Sequence, residues 1–238
     1  SHEAYNIMNS YQFADLDFEM RPSGKRKTYG VTVDRDSSLL LHVPEDFSET
    51  LIQDFLHEKL LWIHTKLAEK SLYKDGFYPE RQFKNGEGFA YLGRIYRLKI
   101  TPTSLEHIKF SNGYFMLRNP ARGREHFVNW YQQKGYQKLP ALIREYTARL
   151  GVKSQRLRMM DLSNRWASCS DDGSLNFHWK IMQLPHKYQR YLVAHEVAHL
   201  VEKHHTPEFW QTLERIMPDY EEFESGLKNN AMKYLRLN

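Results

Sequence analysis

The chain has 238 residues and a single cysteine, Cys169. A disulfide framework within the chain is therefore excluded, and a reducing compartment is the simplest expectation. No apolar run approaches the roughly 18 residues that a membrane span requires, so no membrane association is expected. The start, Ser1-His2-Glu3, has neither a basic cluster nor an apolar stretch. No secretory signal is expected from it, Ser1-His2 reads as the remnant of an expression tag, and a cytoplasmic location follows as an expectation. Internal repeats and low-complexity tracts are not visible in the sequence. A Gly-rich phosphate loop is also missing, which removes the commonest nucleotide-binding device.

What the chain does have is a globular composition, with 41% hydrophobic and 14% aromatic residues. Its formal charge of +5 suits an anionic substrate or nucleic acid, although ordinary charge scatter gives the same value. The basic run Arg21, Lys25, Arg26, Lys27 reads as a solvated strand end, with nucleic-acid or phosphate contact as the alternative. The first third reads as short strands at Lys27 to Val33 and Leu39 to Val43, then an amphipathic helix from Phe47 to Leu67. Strands follow at Phe89 to Ile100, with Gly93 at a turn or bulge. A hairpin turns on Asn112-Gly113. A long helix is expected from Glu125 to Leu150, with a possible break at Gly135 or Pro140. Strands at Leu157 to Met160 and Leu175 to Trp179 precede helices at about Pro185 to Lys203, Pro207 to Met217 and Glu221 to Leu235. This order predicts an α+β fold: a β-rich region with one amphipathic helix over residues 1–120, and a second unit over 121–238.

One segment carries chemistry. His195-Glu196-Val197-Ala198-His199 matches H-E-x-x-H. On a helix, positions i and i+4 share a face, so both imidazoles can reach one metal. Glu196 lies beside that face, where its carboxylate can activate a metal-bound water. The bland alternative, a core helix with two incidental histidines, buries polar rings without partners, which is costly. By contrast, His57-Glu58-Lys59-Leu60-Leu61 opens in the same way but has Leu in place of the second histidine, and reads as the polar face of a helix.

A catalytic zinc usually takes three protein ligands and keeps one open position. His204 and His205 follow the motif closely. If the helix ran on, His205 would point about 100° away from the other two, so the chain must turn first. Thr206 is a good N-cap, Pro207 suits the first helical position, and Glu208 suits the positive end of the helix dipole. A turn at His204-His205 can thus fold one imidazole back, and His205 is the expected third ligand. The alternative is a glutamate from a following helix: Glu214, Glu221, Glu222 or Glu224. The metzincin pattern is disfavoured because Glu202 occupies its required Gly position.

Leu157 to Tyr220 resembles the YgjP-like, SprT-related family of metal-dependent hydrolases. The resemblance is carried by Asn164-Arg165-Trp166-Ala167-Ser168-Cys169, by Tyr191 to Leu200, and by His204-His205-Thr206-Pro207-Glu208-Phe209-Trp210, with Met217-Pro218-Asp219-Tyr220 closing it. Ala167 replaces a family Gly, His204 replaces an Asn, and His178 stands at a usual Asn position. The N-terminal half matches more loosely, through Arg26-Lys27-Thr28 and Tyr91-Leu92-Gly93-Arg94. The resemblance implies a zincin-like core, with a small antiparallel or mixed sheet on the metal helix and Leu175 to Trp179 as an edge strand facing the cleft.

The expected function is therefore metal-dependent hydrolysis, with Glu196 catalytic and His195, His199 and His205 holding one zinc ion. Three imidazoles would also accept nickel, cobalt or manganese. Arg165, Trp166, His178 and His204 are the candidates for substrate contact. A peptide or protein is the first substrate class. A nucleoside triphosphate is the second, an activity that the resemblance also implies. A non-catalytic zinc-stabilised binding module is the third reading, and the presence of Glu196 argues against it.

Overall fold

The structure, a computed structural model, describes residues 9–74 and 81–235, so the Ser1-His2-Glu3 segment lies outside the described residues. The first sheet contains β1 (Ser10–Phe13), β2 (Leu16–Ser23), β3 (Gly30–Val33) and β4 (Leu39–Pro44), in the order β1-β2-β4-β3. In β2, Leu16, Phe18 and Met20 are buried while Asp17, Glu19 and Arg21 are exposed, the period of two that a half-covered strand requires. Helix α1 (Glu49–Lys74) follows. Its residues Ile52, Leu56, Leu60, Ile63 and Leu67 are buried at spacings of three or four, the stripe of a helix packed on a core. Asp54 and His57, three residues apart, share another face of it.

The second sheet repeats this design. It contains β5 (Gly88–Tyr91), β6 (Arg94–Ile100), β7 (Ile108–Ser111) and β8 (Tyr114–Leu117), in the order β5-β6-β8-β7, and leads into the long helix α2 (Gly123–Leu150). In both sheets the two inner strands pair parallel and each outer strand pairs antiparallel. The chain therefore contains a structural repeat of four strands and a helix, although its sequence reads as free of repeats. Three two-residue hairpins, Ala14-Asp15, Leu92-Gly93 and Asn112-Gly113, have positive φ at both central residues, the type I′ geometry that matches strand twist. Helix α2 runs unbroken through Gly135 and Pro140. Burial of Phe127, Trp130, Tyr131, Leu139, Leu142 and Tyr146 on one face outweighs the roughly 3 kcal/mol that an interior proline costs. Gly135 is where Met159 approaches the helix: a Cβ there would overlap the Met159 methyl carbon.

The third sheet is built from β9 (Leu157–Met160), β10 (Ala167–Cys169) and β11 (Leu175–His178), in the order β10-β11-β9. This corrects the expected edge strand at Leu175 to Trp179. β11 is central and buried throughout, and Trp179 leaves it for a 3-10 turn over Trp179–Gln183. The edges are β9 and β10, and β10 packs on helix α3 (His186–Ala198). Asn176 of β11 fastens that edge by donating to the Ser168 and Ser170 hydroxyls, at 3.2 and 2.8 Å. Helix α3 is almost wholly buried from Tyr188 to Ala198, and it stops there rather than at Lys203. The helices α4 (Pro207–Ile216) and α5 (Tyr220–Leu235) complete the α+β fold. Side chains from all three sheets and all five helices share one continuous apolar core. Among the described residues, no helix is long and apolar enough to cross a membrane.

Gly93 docks the β5–β6 hairpin onto the start of α3. Its N–H and that of Leu92 donate to the Gln183 and Met182 carbonyls at 3.0 Å. At its φ of 79°, an added Cβ would stand 3.0 Å from the Pro185 Cα. Gly93→Ala is expected to cost about 2 kcal/mol, seen as a fall in Tm of roughly 4–8 °C by calorimetry. An unchanged Tm would contradict this docking.

Candidate metal centre

Helix α3 delivers His195 and His199 on one face, and the chain then turns through residues 199–205 before α4 begins. Thr206 caps α4 as its sequence predicts, its hydroxyl accepting from the Phe209 N–H at 3.3 Å, with Pro207 at the first turn. The turn places His205 against the helix, with its Nε2 2.9 Å from that of His195. Helix α1 adds a fourth ring, His57, stacked on His195 with centroids 4.3 Å apart. One ligand atom from each of His57, His195, His199 and His205 lies within 4.8 Å of all the others. Phe209 forms the floor, stacked on His199 at 4.2 Å and 4.8 Å from both His195 and His205.

The back of each ring fixes its tautomer. His199 Nδ1 meets the Glu202 carbonyl at 2.9 Å, and His205 Nδ1 meets Asp54 Oδ1 at 2.7 Å. Both partners only accept, so both Nδ1 atoms carry the proton and both Nε2 atoms are bare. His195 Nδ1 lies 3.4 Å from the Tyr191 hydroxyl, which itself donates to Glu224 at 3.1 Å. The Tyr191 oxygen is thus the acceptor, and His195 Nε2 is bare as well. Two bare imidazole nitrogens 2.9 Å apart repel each other, and a cation against them removes the repulsion. Beside them Glu196, fully buried, places Oε1 2.8 Å from His57 Nε2, while its Oε2 has no partner. Convergent neutral imidazoles and an orphaned carboxylate oxygen fit a divalent transition metal.

The electrostatics agree. Burial, helped by the neighbouring imidazoles, holds His195 well below the usual histidine range. Burial also lowers His205 to about 3, against the opposing pull of Asp54. For Glu196, burial alone would raise the carboxyl, but His57, His199 and His205 outweigh it and keep the group below its ordinary value. Asp54 is likewise pushed up by burial and brought down further, to about 2, by hydrogen bonds from His205 and His204.

The sequence profile of a family described as YgjP-like, metallopeptidase domain, matches residues 27–230. The chain belongs to this YgjP-like family. It is a metal-dependent hydrolase of the metallopeptidase class. Among solved structures, the metallopeptidase zymogen of Pyrococcus abyssi abylysin aligns with 35% of this chain and 85% of its own, at 22% identity and a TM-score of 0.33. A comparison with curated proteins gives no match.

A cleft of about 200 Å³ opens onto the centre of this YgjP-like chain. Arg165 and His204, both candidates for substrate contact, line it with Glu58, Ser168 and Cys169. Arg165 makes no hydrogen bond or ion pair among the described residues, while His204 is held by Asp54 at 2.8 Å. The other two candidates do not line the cleft. Trp166 is buried and donates to His64 Nδ1 at 3.1 Å, and His178 is a buried cap that accepts from the Lys180 N–H at 3.1 Å. The alternative third ligands also lie apart: Glu214, Glu221 and Glu222 are exposed, and Glu224 holds Tyr191. Asp54 was not singled out in the sequence, and His57, read there as the polar face of a helix, instead packs on His195 and bonds Glu196. Their three-residue spacing on a helix already identified was the one available signal.

Asp54→Asn is expected to weaken metal binding by about 10–100-fold in a chelator competition, because it removes the charge that orients and enriches His205. Unchanged affinity would contradict that role. Buried His64 offers a pH test. Burial lowers it to about 3, against about 6.5 in an unfolded chain. Between these values the unfolded chain binds the extra proton, so stability falls as pH drops from about 6.5 towards 3. Urea unfolding of the metal-free protein over that window should show a shallower loss in His64→Leu than in wild type.

Proposed function

We propose that this chain is a zinc metallopeptidase in which His195, His199 and His205 hold the metal and Glu196 is the general base. The observation that carries this reading is the 2.9 Å approach of His195 and His205 Nε2, with a ligand atom of His199 within 4.8 Å of both, beside the unpartnered, buried Oε2 of Glu196. A zinc ion held there supplies Lewis acidity, making water acidic near neutral pH and polarising a scissile carbonyl. The Glu196 carboxylate, ionised at neutral pH, takes a proton at Oε2 and returns it to the leaving amine. The His57 ring, stacked on His195 and bonded to Oε1, covers one side of that carboxylate.

The edge strand β10 supplies a place for a peptide. The His178 N–H bonds the Trp166 carbonyl, and the Ser170 N–H bonds the Ser174 carbonyl. By the alternation of an antiparallel ladder, the backbone groups of Ala167 and Cys169 then face away from β11. Ala167 and Cys169 also line the cleft, so an extended peptide can add as a further strand across the metal site. The free guanidinium of Arg165 favours an anionic group at the same mouth, and this supports keeping nucleoside triphosphates as the second substrate class.

The test is hydrolysis of a peptide library and a nucleoside triphosphate panel by zinc-loaded wild type and Glu196→Gln. The expected outcome is peptide cleavage by wild type and a loss of about 10²–10⁴-fold in kcat for the variant, with zinc content unchanged. Full activity in Glu196→Gln would overturn the mechanism. Turnover of triphosphates alone would replace the substrate class.

A further inference from the structure

We propose that His57, contributed by α1 from the far side of the chain, is a positioning residue for Glu196: it holds Oε1, so that Oε2 alone faces the reacting water. The inference rests on the reading of Glu196 as the base and adds how that base is held. Glu196 is fully buried, and among the described residues its carboxylate has one partner, His57 Nε2, 2.8 Å from Oε1. Without it both oxygens would be orphaned in a dry site, a heavy cost for a charge, and the group would be free to rotate. A carboxylate accepts and does not donate, so His57 Nε2 must carry a proton to make this bond. A protonated Nε2 is not a metal ligand. The His57 Nε2 is thereby engaged with Glu196, whereas the Nε2 atoms of the other three rings are bare, although one ligand atom from each of the four lies within 4.8 Å of the rest.

The position of His57 is determined independently of Glu196. Its ring stacks on His195 at an interplanar angle of 17°, and the side chain is 11% exposed. One turn earlier on α1, Asp54 grips His205 through both Nδ1 and the backbone N–H. A single rigid helix therefore orients one metal-binding ring and the base together. This is the kind of support that keeps a catalytic constellation in register.

Two measurements on the zinc-loaded full chain test the proposal. Long-range 1H–15N correlation spectra of 15N-histidine-labelled protein report which nitrogen of His57 is protonated, whether or not a substrate is known. A protonated Nε2 is expected. A zinc-shifted nitrogen on His57, whether Nε2 or Nδ1, would make it a fourth ligand and overturn the proposal. Chelator competition and peptide kinetics on His57→Ala and His57→Gln form the second arm. The expected result is zinc affinity within about threefold of wild type for both variants. For His57→Ala, kcat should fall about 10–100-fold at nearly constant KM. His57→Gln, which keeps a donor near the Nε2 position, should recover much of kcat, and added imidazole should partly rescue His57→Ala. A zinc affinity loss above tenfold, or equal kcat in Ala and wild type, would overturn it. If wild type cleaves no peptide, the peptidase reading fails, while the spectra still decide the tautomer of His57.

Discussion

Three imidazoles will not stay packed with bare nitrogens facing one another unless each ring is held from behind. In this protein the holding groups are a backbone carbonyl at His199, the Asp54 carboxylate at His205 and the Tyr191 hydroxyl at His195. Each accepts a hydrogen bond from the Nδ1–H and so leaves the lone pair on Nε2. The 2.9 Å approach of His195 to His205 is the sharpest expression of this constraint. Two lone pairs at that distance are placed where one cation can take both, and α3 and the turn before α4 carry the two rings.

The architecture serves that constraint by bringing distant parts of the chain to one point. Helix α1 belongs to the first copy of a structural repeat, yet it supplies Asp54 and His57 to a centre whose other residues lie beyond position 190. His64, on the same helix, accepts from Trp166 and so anchors the segment that leads into the edge strand β10. Helix α3, which carries His195 and Glu196 and ends at His199, is packed on α2, α4 and α5 and is buried over most of its length. A buried, crowded helix moves little, and this suits residues that must hold a ligand geometry to within a fraction of an ångström.

Much of this was legible in the sequence where the physics is local. The i, i+4 spacing of His195 and His199, the Thr206-Pro207 start of α4 and the Asn112-Gly113 hairpin each follow from neighbouring residues, and each is present. The α+β order and the long helices were readable from apolar periodicity. What escaped was short, atypical or long-range. Strands β1 and β2 join through Ala14-Asp15, which adopts positive φ without the Asn-Gly signature of such turns. Strand β10 has three residues, too few to show alternation, and its pairing displaced the expected edge strand. His57 and Asp54 act on partners 139 and 151 residues away, which no local pattern announces. The repeat is one of topology, visible only once the strands are paired.

The central claim is that three Nε2 atoms, from His195, His199 and His205, converge on one metal beside Glu196. An anomalous difference map from crystals grown with zinc tests it most directly. The account predicts one zinc ion per chain within about 2.0–2.1 Å of those three atoms, with His57 on Glu196 and not on the metal. A zinc ion held instead by Glu214, Glu221 or Cys169, or no peak among the three imidazoles, would contradict it.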